Sequence, residues 1–88
     1  MKIAEGFMLR EVLDNWLVIP VGKDAAGKAY MLSLTESLSF LWKILEQGAS
    51  EEELIAALLE RYETDRATAV KDIREFLADL EQENILIR

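Results

Sequence analysis

YMLSLTESLSFLWKIL, residues 30–45, is the stretch that decides the fold, because it changes from a strand pattern to a helix pattern without a linker. Large apolar residues first alternate at positions 30, 32 and 34, and then recur at 38, 41, 42 and 45, which is the spacing of a helix. Thr35 stands at the junction, where its hydroxyl can cap the helix. The stretch therefore predicts a short strand that leads directly into a buried helix. The edge of that strand is our first candidate for a functional surface.

Two further strands are predicted before this stretch, at residues 7–13 and 16–21. Pro20 has no backbone N–H to donate to a sheet, so we expect it at a strand end or on an edge strand. The third strand is predicted at residues 29–34, after a loop at 22–28. The glycines of that loop lack the spacing of a phosphate-binding loop, so we assign no phosphate site to it.

The first two helices have recognisable starts and ends. Helix one is predicted at about residues 36–47, and its apolar residues cover a broad arc, so the helix must lie centrally in the fold. Gly48 is a natural residue to end it. Ser50, followed by three glutamates, is a capping box at the start of helix two. These signals place a tight turn between the two helices.

The third helix and a short tail complete the chain. Helix three is predicted to begin at Asp65, and it carries Val70, Ile73 and Leu77 on its apolar stripe. Residues 85–87 are too few for a fourth helix and can return as a strand. The order predicts an α+β domain of the winged helix-turn-helix type, with three N-terminal antiparallel strands followed by three helices.

The composition excludes several kinds of site. The chain has 88 residues, of which 51% are hydrophobic, so we expect one packed domain spanning residues 1–88. It contains no Cys and no His, which removes disulfides, thiolate metal sites and the commonest general base of enzymes. The sequence shows no group of polar residues that would come together as a catalytic site. We therefore predict a protein that is not an enzyme and that uses no metal and no cofactor.

Acidic residues are concentrated in the second half of the chain. Residues 46–83 contain twelve acidic and four basic residues, and the whole chain has a formal net charge of −7. Affinity for nucleic acid depends on Lys and Arg contacts to phosphate, so this balance opposes nucleic-acid binding. The N-terminus lacks the apolar run of a signal peptide, and no stretch approaches the ~20 apolar residues of a membrane span. We expect a soluble cytoplasmic protein that binds neither nucleic acid nor membrane.

Charged residues flank the apolar stripe of helix three. With Ile73 at the centre of the stripe, Arg74 lies on one side of it and Lys71 lies further round, towards solvent. This basic flank can receive an acidic peptide that lies along the helix. The acidic residues spaced by three and four on the same helix are assigned to its solvent-exposed side: Asp72, Glu75 and Asp79.

An ordered set of segments gives the chain a family resemblance. The runs MLREV at 8–12, WLVIPVG at 16–22 and MLSLTESLSFLW at 31–42, with the turn and cap GASEEEL at 48–54, resemble the PqqD family. That family belongs to the RiPP recognition elements, which serve ribosomally made, post-translationally modified peptides. At Thr35 the family more often has Asn, and both residues cap a helix.

The resemblance implies a domain that binds the leader segment of a precursor peptide and presents it to a modifying enzyme, often a radical SAM enzyme. In the family, the leader pairs with the third strand and packs on the third helix. An open strand edge suits this role, because it supplies backbone hydrogen bonds to an added strand. Mapped onto this chain, those elements predict a peptide-binding set: Ala29, Tyr30, Met31, Leu32, Ser33, Val70, Lys71, Ile73, Arg74 and Leu77.

Two other functions share this architecture. The first is a DNA-binding winged helix, which the acidic charge opposes. The second is a module that dimerises through its edge strand.

Overall fold

The computed structural model describes residues 1–21 and 32–88. Over these residues the elements follow in this order: β1 (Lys2–Ile3), β2 (Phe7–Val12), β3 (Asn15–Pro20), β4 (Leu32–Leu34), α1 (Glu36–Glu46), α2 (Glu51–Arg61), α3 (Arg66–Gln82) and β5 (Leu86–Ile87). Three antiparallel strands, β2, β3 and β4, precede three helices, which confirms the predicted α+β class. The predicted loop at 22–28 and the predicted strand residues Ala29, Tyr30 and Met31 lie outside the described residues.

Strands β2 and β3 form a hairpin, and β4 pairs with the other side of β3, which gives the strand order β2-β3-β4. The last pair of the hairpin is Val12 with Asn15, so Leu13 and Asp14 alone form the turn. Both have positive φ, 50° and 66°, which is the sign pattern of the type I′ turn that two-residue hairpins favour. Pro20 ends β3, as its missing N–H predicts. Leu13 is 90% exposed, so its left-handed backbone is not offset by packing of its side chain.

Leu13→Asn is expected to raise the free energy of unfolding by about 0.5–1 kcal/mol, because Asn tolerates the left-handed region better than Leu does. The urea midpoint of the purified variant measures the change. Val12→Asn is the control, since Val12 is also exposed but lies in extended backbone, where Asn has no such advantage. A lower midpoint for Leu13→Asn would show that the turn is not strained by leucine.

The two ends of the chain pair in a second, two-stranded sheet. Lys2 of β1 pairs with Ile87 of β5, and the N–H of Ala4 donates to the carbonyl of Ile85 at 2.7 Å. The predicted return of the tail as a strand is thereby confirmed for Leu86 and Ile87, one residue fewer than predicted. The sequence does not predict strand β1, because two residues are too few to show an alternating pattern.

Each helix begins at a side-chain cap. The Thr35 hydroxyl caps α1, and Ser50 with Glu53 forms the reciprocal capping box of α2, both as predicted. Asp65 is the cap of α3 rather than its first residue, and its Oδ1 accepts the N–H of Thr68 at 2.7 Å. These caps fix where each helix starts and therefore how tightly the helices follow one another.

The cap of α3 gives the fold a dependence on pH. Hydrogen bonds from Thr68, the backbone N–H first, hold the pKa of Asp65 below its usual value. A pKa that is lower in the folded state means that ionised Asp65 stabilises the fold above the pKa of the unfolded chain. That contribution is lost as the pH falls through the folded-state pKa.

Asp65→Asn should therefore flatten the acid side of the stability profile, because Asn still caps the helix but does not ionise in this range. The melting temperature, followed from neutral pH down to about pH 2, measures the effect. An acid side as steep as in the unmodified protein would contradict a stabilising role for the ionised cap.

The core lies between the three helices and one face of the sheet. Leu41 and Trp42 on α1 are 0% and 1% exposed, which confirms the predicted central position of that helix. Val18 of β3 and Leu34 of β4 bring the sheet into the same core. The other buried apolar side chains from the helices and from the segment before β5 are Leu45, Leu54, Ile55, Leu58, Ala69, Ile73, Phe76, Leu77, Leu80 and Ile85.

Candidate functional site

Strand β4 lies at the edge of the three-stranded sheet. It pairs with β3 on one side, where Leu32, Ser33 and Leu34 lie opposite Val18, Leu17 and Trp16. Within residues 1–21 and 32–88 no strand pairs with its other side. Backbone N–H and C=O groups on the outer side of such a strand can bond an added strand. The edge predicted from the sequence is therefore present at Leu32 and Ser33.

A groove of about 300 Å³ opens where β4 ends, between α1, α2 and α3. We call it the α1–α3 groove. Thr35, which directly follows β4, lies at its margin with Ser37, and their hydroxyl oxygens are 3.2 Å apart. The base of the groove is apolar and is formed by Leu38, Leu41, Leu58 and Phe76.

The α3 side of the α1–α3 groove is acidic. Asp72, Glu75 and Asp79 line it, and all three are exposed. Over the part of the chain that the structure describes, no basic side chain lines this groove or forms an ion pair with these carboxylates. In the part of the chain that is described, the groove therefore combines an apolar base with a negative wall that forms no ion pair.

Two apolar residues of α3 that belong to the predicted peptide-binding set lie in the core. Ile73 is 0% exposed and Leu77 is 1% exposed, so both side chains are buried in the core, and neither is among the residues that line the α1–α3 groove. Contact with a peptide would require the core to open. Val70 is half-buried and packs against the core, so part of its side chain remains accessible. The periodicity identified the apolar stripe of α3 correctly, but that stripe is used for the core.

The two basic residues predicted near the peptide differ in their surroundings. Arg74 Nε donates to Glu51 Oε1 at 3.1 Å, which ties α3 to the first turn of α2. Lys71 is exposed. At 3.6 residues per turn, Arg74 points about 160° around the helix from Asp72, so it lies on the flank opposite the groove. Of the predicted set, Leu32 and Ser33 lie on the edge strand, while Arg74 is engaged by α2.

In the sequence, the only feature that groups the three acidic residues of this wall is their spacing of three and four residues. Asp72, Glu75 and Asp79 were assigned to the solvent-exposed side of helix three, and their exposure confirms that assignment. What the sequence did not reveal is that this side of α3 faces the start of α1. The packing of helices that are distant in the chain determines that relationship, and no local pattern encodes it.

Trp16, the first large aromatic residue of β3, packs outside the groove. The Nζ of Lys43 lies 4.4 Å from the centre of its ring, a cation–π contact between α1 and β3. Trp16 is partly buried against the core. We therefore assign it to holding the helix on the sheet.

The described residues show neither a metal site nor a membrane-spanning helix. No group of three or more His, Cys, Asp or Glu residues in the described ranges is placed to hold a metal ion. None of the helices found there is both long and apolar enough to cross a membrane.

The fold and the site define a small α+β domain with a strand edge beside a helix-lined groove. Residues 23–86 match the family model described as coenzyme PQQ synthesis protein D (PqqD). This chain belongs to the PqqD family and is a PqqD-like RiPP recognition element. No curated protein matched it.

Two solved structures share the fold. One is described as TbiB1 in complex with the TbiA(beta) leader peptide; it is 27% identical, with a TM-score of 0.78 over 98% of this chain and 94% of that chain. The other is described as lasso peptide synthetase B1 complexed with the leader peptide. It is 15% identical, with a TM-score of 0.76 over 99% of this chain and 96% of that chain. The second likeness concerns the fold alone.

Proposed function

We propose that this protein binds the leader segment of a ribosomally made precursor peptide and presents it to a modifying enzyme. The observation that carries the proposal is the outer edge of β4, to which no described strand pairs, beside the α1–α3 groove. A peptide that adds to a sheet edge gains backbone hydrogen bonds, and side chains on alternate positions can then enter a neighbouring groove. Membership of the PqqD family and the likeness to TbiB1, which was solved with a leader peptide, support it.

The leader would pair with β4 at Leu32 and Ser33, continuing the order β2-β3-β4 by one strand. From the sequence we extend this edge to Ala29, Tyr30 and Met31. Val70 and Lys71 stay candidate contacts on the rim, and contact at Arg74 would compete with its bond to Glu51. Ile73 and Leu77 would act indirectly, by holding α3 in position.

The protein would act in the cytoplasm as a non-catalytic partner of its modifying enzyme, which we propose to be a radical SAM enzyme. The whole chain offers no His and no Cys for nucleophilic or acid–base chemistry. Purified protein incubated with the precursor should leave the mass of the peptide unchanged. A mass change with this protein alone would contradict the non-catalytic role.

Direct titration tests the proposal. Labelled leader peptide of the cognate precursor should bind with micromolar affinity, whereas double-stranded DNA at low salt should give no retarded band. Sedimentation at several protein concentrations, with and without peptide, separates leader binding from dimerisation through the β4 edge. If self-association alone occupies the edge and peptide does not compete with it, the module is a dimerisation domain.

A further inference from the structure

We infer that the α1–α3 groove selects a basic peptide, in which a Lys or Arg side chain meets the acidic wall of α3 next to an apolar side chain in the base of the groove. The inference rests on the proposed function and specifies the chemistry of the ligand. From the sequence, the basic flank with Arg74 and Lys71 suggested an acidic ligand. The inference assigns the ligand the opposite charge. The observations that carry it are the placement of the carboxylates and the engagement of Arg74.

The three carboxylates form one surface because of their spacing. Asp72 and Glu75 are three residues apart and Glu75 and Asp79 are four apart, so the three project from the same side of α3. Like charges at these spacings repel and destabilise a helix. A cationic side chain placed between them relieves that repulsion, so its binding is favoured by more than the attraction of a single pair.

The chain itself does not supply that cation among its described residues. Among the described residues, α3 forms ion pairs through Arg66 with Glu52 and through Arg74 with Glu51, both at the α2 side of the helix. A third pair joins Glu81 near its end to Arg88, and no pair includes a carboxylate of the groove wall. Over residues 1–21 and 32–88 the groove wall forms no ion pair, while Arg74 on the other flank of the same helix is paired. This asymmetry favours an external cation at the groove rather than an external anion at Arg74.

The base of the groove defines the second requirement. Leu38 is half-buried, and Leu41, Leu58 and Phe76 lie beneath the surface, so an apolar side chain that enters loses contact with water. Alternate residues of an added strand point to the same face. A ligand with a basic and an apolar residue two positions apart therefore satisfies both parts of the groove.

A displayed library of random 12-residue peptides, selected on the intact protein, tests the inference. We expect the retained sequences to be enriched in Lys and Arg over Asp and Glu, with a large apolar residue two positions away. Glu75→Lys should weaken the best selected peptide by about three- to tenfold and reduce the salt dependence of its binding. Glu60→Lys is the matched control, because the same charge change on the outer surface of α2 lies outside the groove, and the affinity of this variant should stay within about twofold.

The possible outcomes bear differently on the inference and on the proposed function. Basic peptides that respond to Glu75→Lys and not to Glu60→Lys support the inference. Peptides that bind at β4 but carry no basic preference, or that respond equally to both variants, overturn the inference and leave the proposed function standing. If the selection retains no peptide at all, the proposed function fails and the inference fails with it.

Discussion

Leu41→Ala is expected to lower the free energy of unfolding by about 2–5 kcal/mol. Leu41 is 0% exposed on the central helix, so its removal leaves a cavity between α1 and its neighbours. Native proteins have a total stability of roughly 5–15 kcal/mol, so this loss is a large fraction of the total. Urea unfolding followed by the fluorescence of the buried Trp42 measures the loss.

Leu13→Ala is the matched control for this prediction. It makes the same chemical change at a leucine that is 90% exposed at the hairpin tip, and we expect a change within about 0.5 kcal/mol. Equal effects of the two substitutions would show that Leu41 is not in the core. The comparison separates loss of packing from any general effect of replacing leucine.

The second large effect concerns the backbone of the bound peptide. N-methylation of the leader should reduce affinity by about tenfold or more at every second residue of the segment that pairs with β4, and much less at the residues between. An antiparallel strand turns alternate N–H groups towards its neighbour, so only those methyl groups remove a hydrogen bond and clash with the edge. Fluorescence anisotropy with a labelled leader measures each affinity.

Strand addition is recognised by which leader residues lose affinity when they are N-methylated. Side-chain replacement at the same positions provides the control, because it leaves the backbone donor intact. A uniform loss along the peptide, or no loss at any methylated position, would contradict strand addition. Either result would favour binding through side chains alone.

The sequence predicted those features of the fold that are encoded locally. The caps at Thr35 and Ser50 and the buried arc of α1 are specified by residues within one or two turns, and the structure confirms them. Strand β1 is two residues long and depends on its pairing with β5 at the far end of the chain. No local pattern could reveal a strand of that kind.

The candidate site likewise combines features that a local pattern predicts with features that depend on distant parts of the chain. The β4 edge follows from the run around Leu32 and Ser33, and the family resemblance pointed to it. The apolar stripe of α3 was also evident, but the sequence could not tell that Ile73 serves the core while the flank with Glu75 borders a groove. Periodicity identifies faces of a helix. Only the packing of distant elements determines what each face meets.

The central claim is that a leader peptide adds to the outer edge of β4 beside the acidic face of α3. Amide chemical shifts of ¹⁵N-labelled protein, recorded while the unlabelled leader is titrated in, test it most directly. We predict that the shifts cluster on Leu32–Leu34 and on residues 72–79, with NOEs between backbone protons of the leader and those of β4. Shifts confined to residues 54–59 of α2, with β4 and α3 unchanged, would contradict the account.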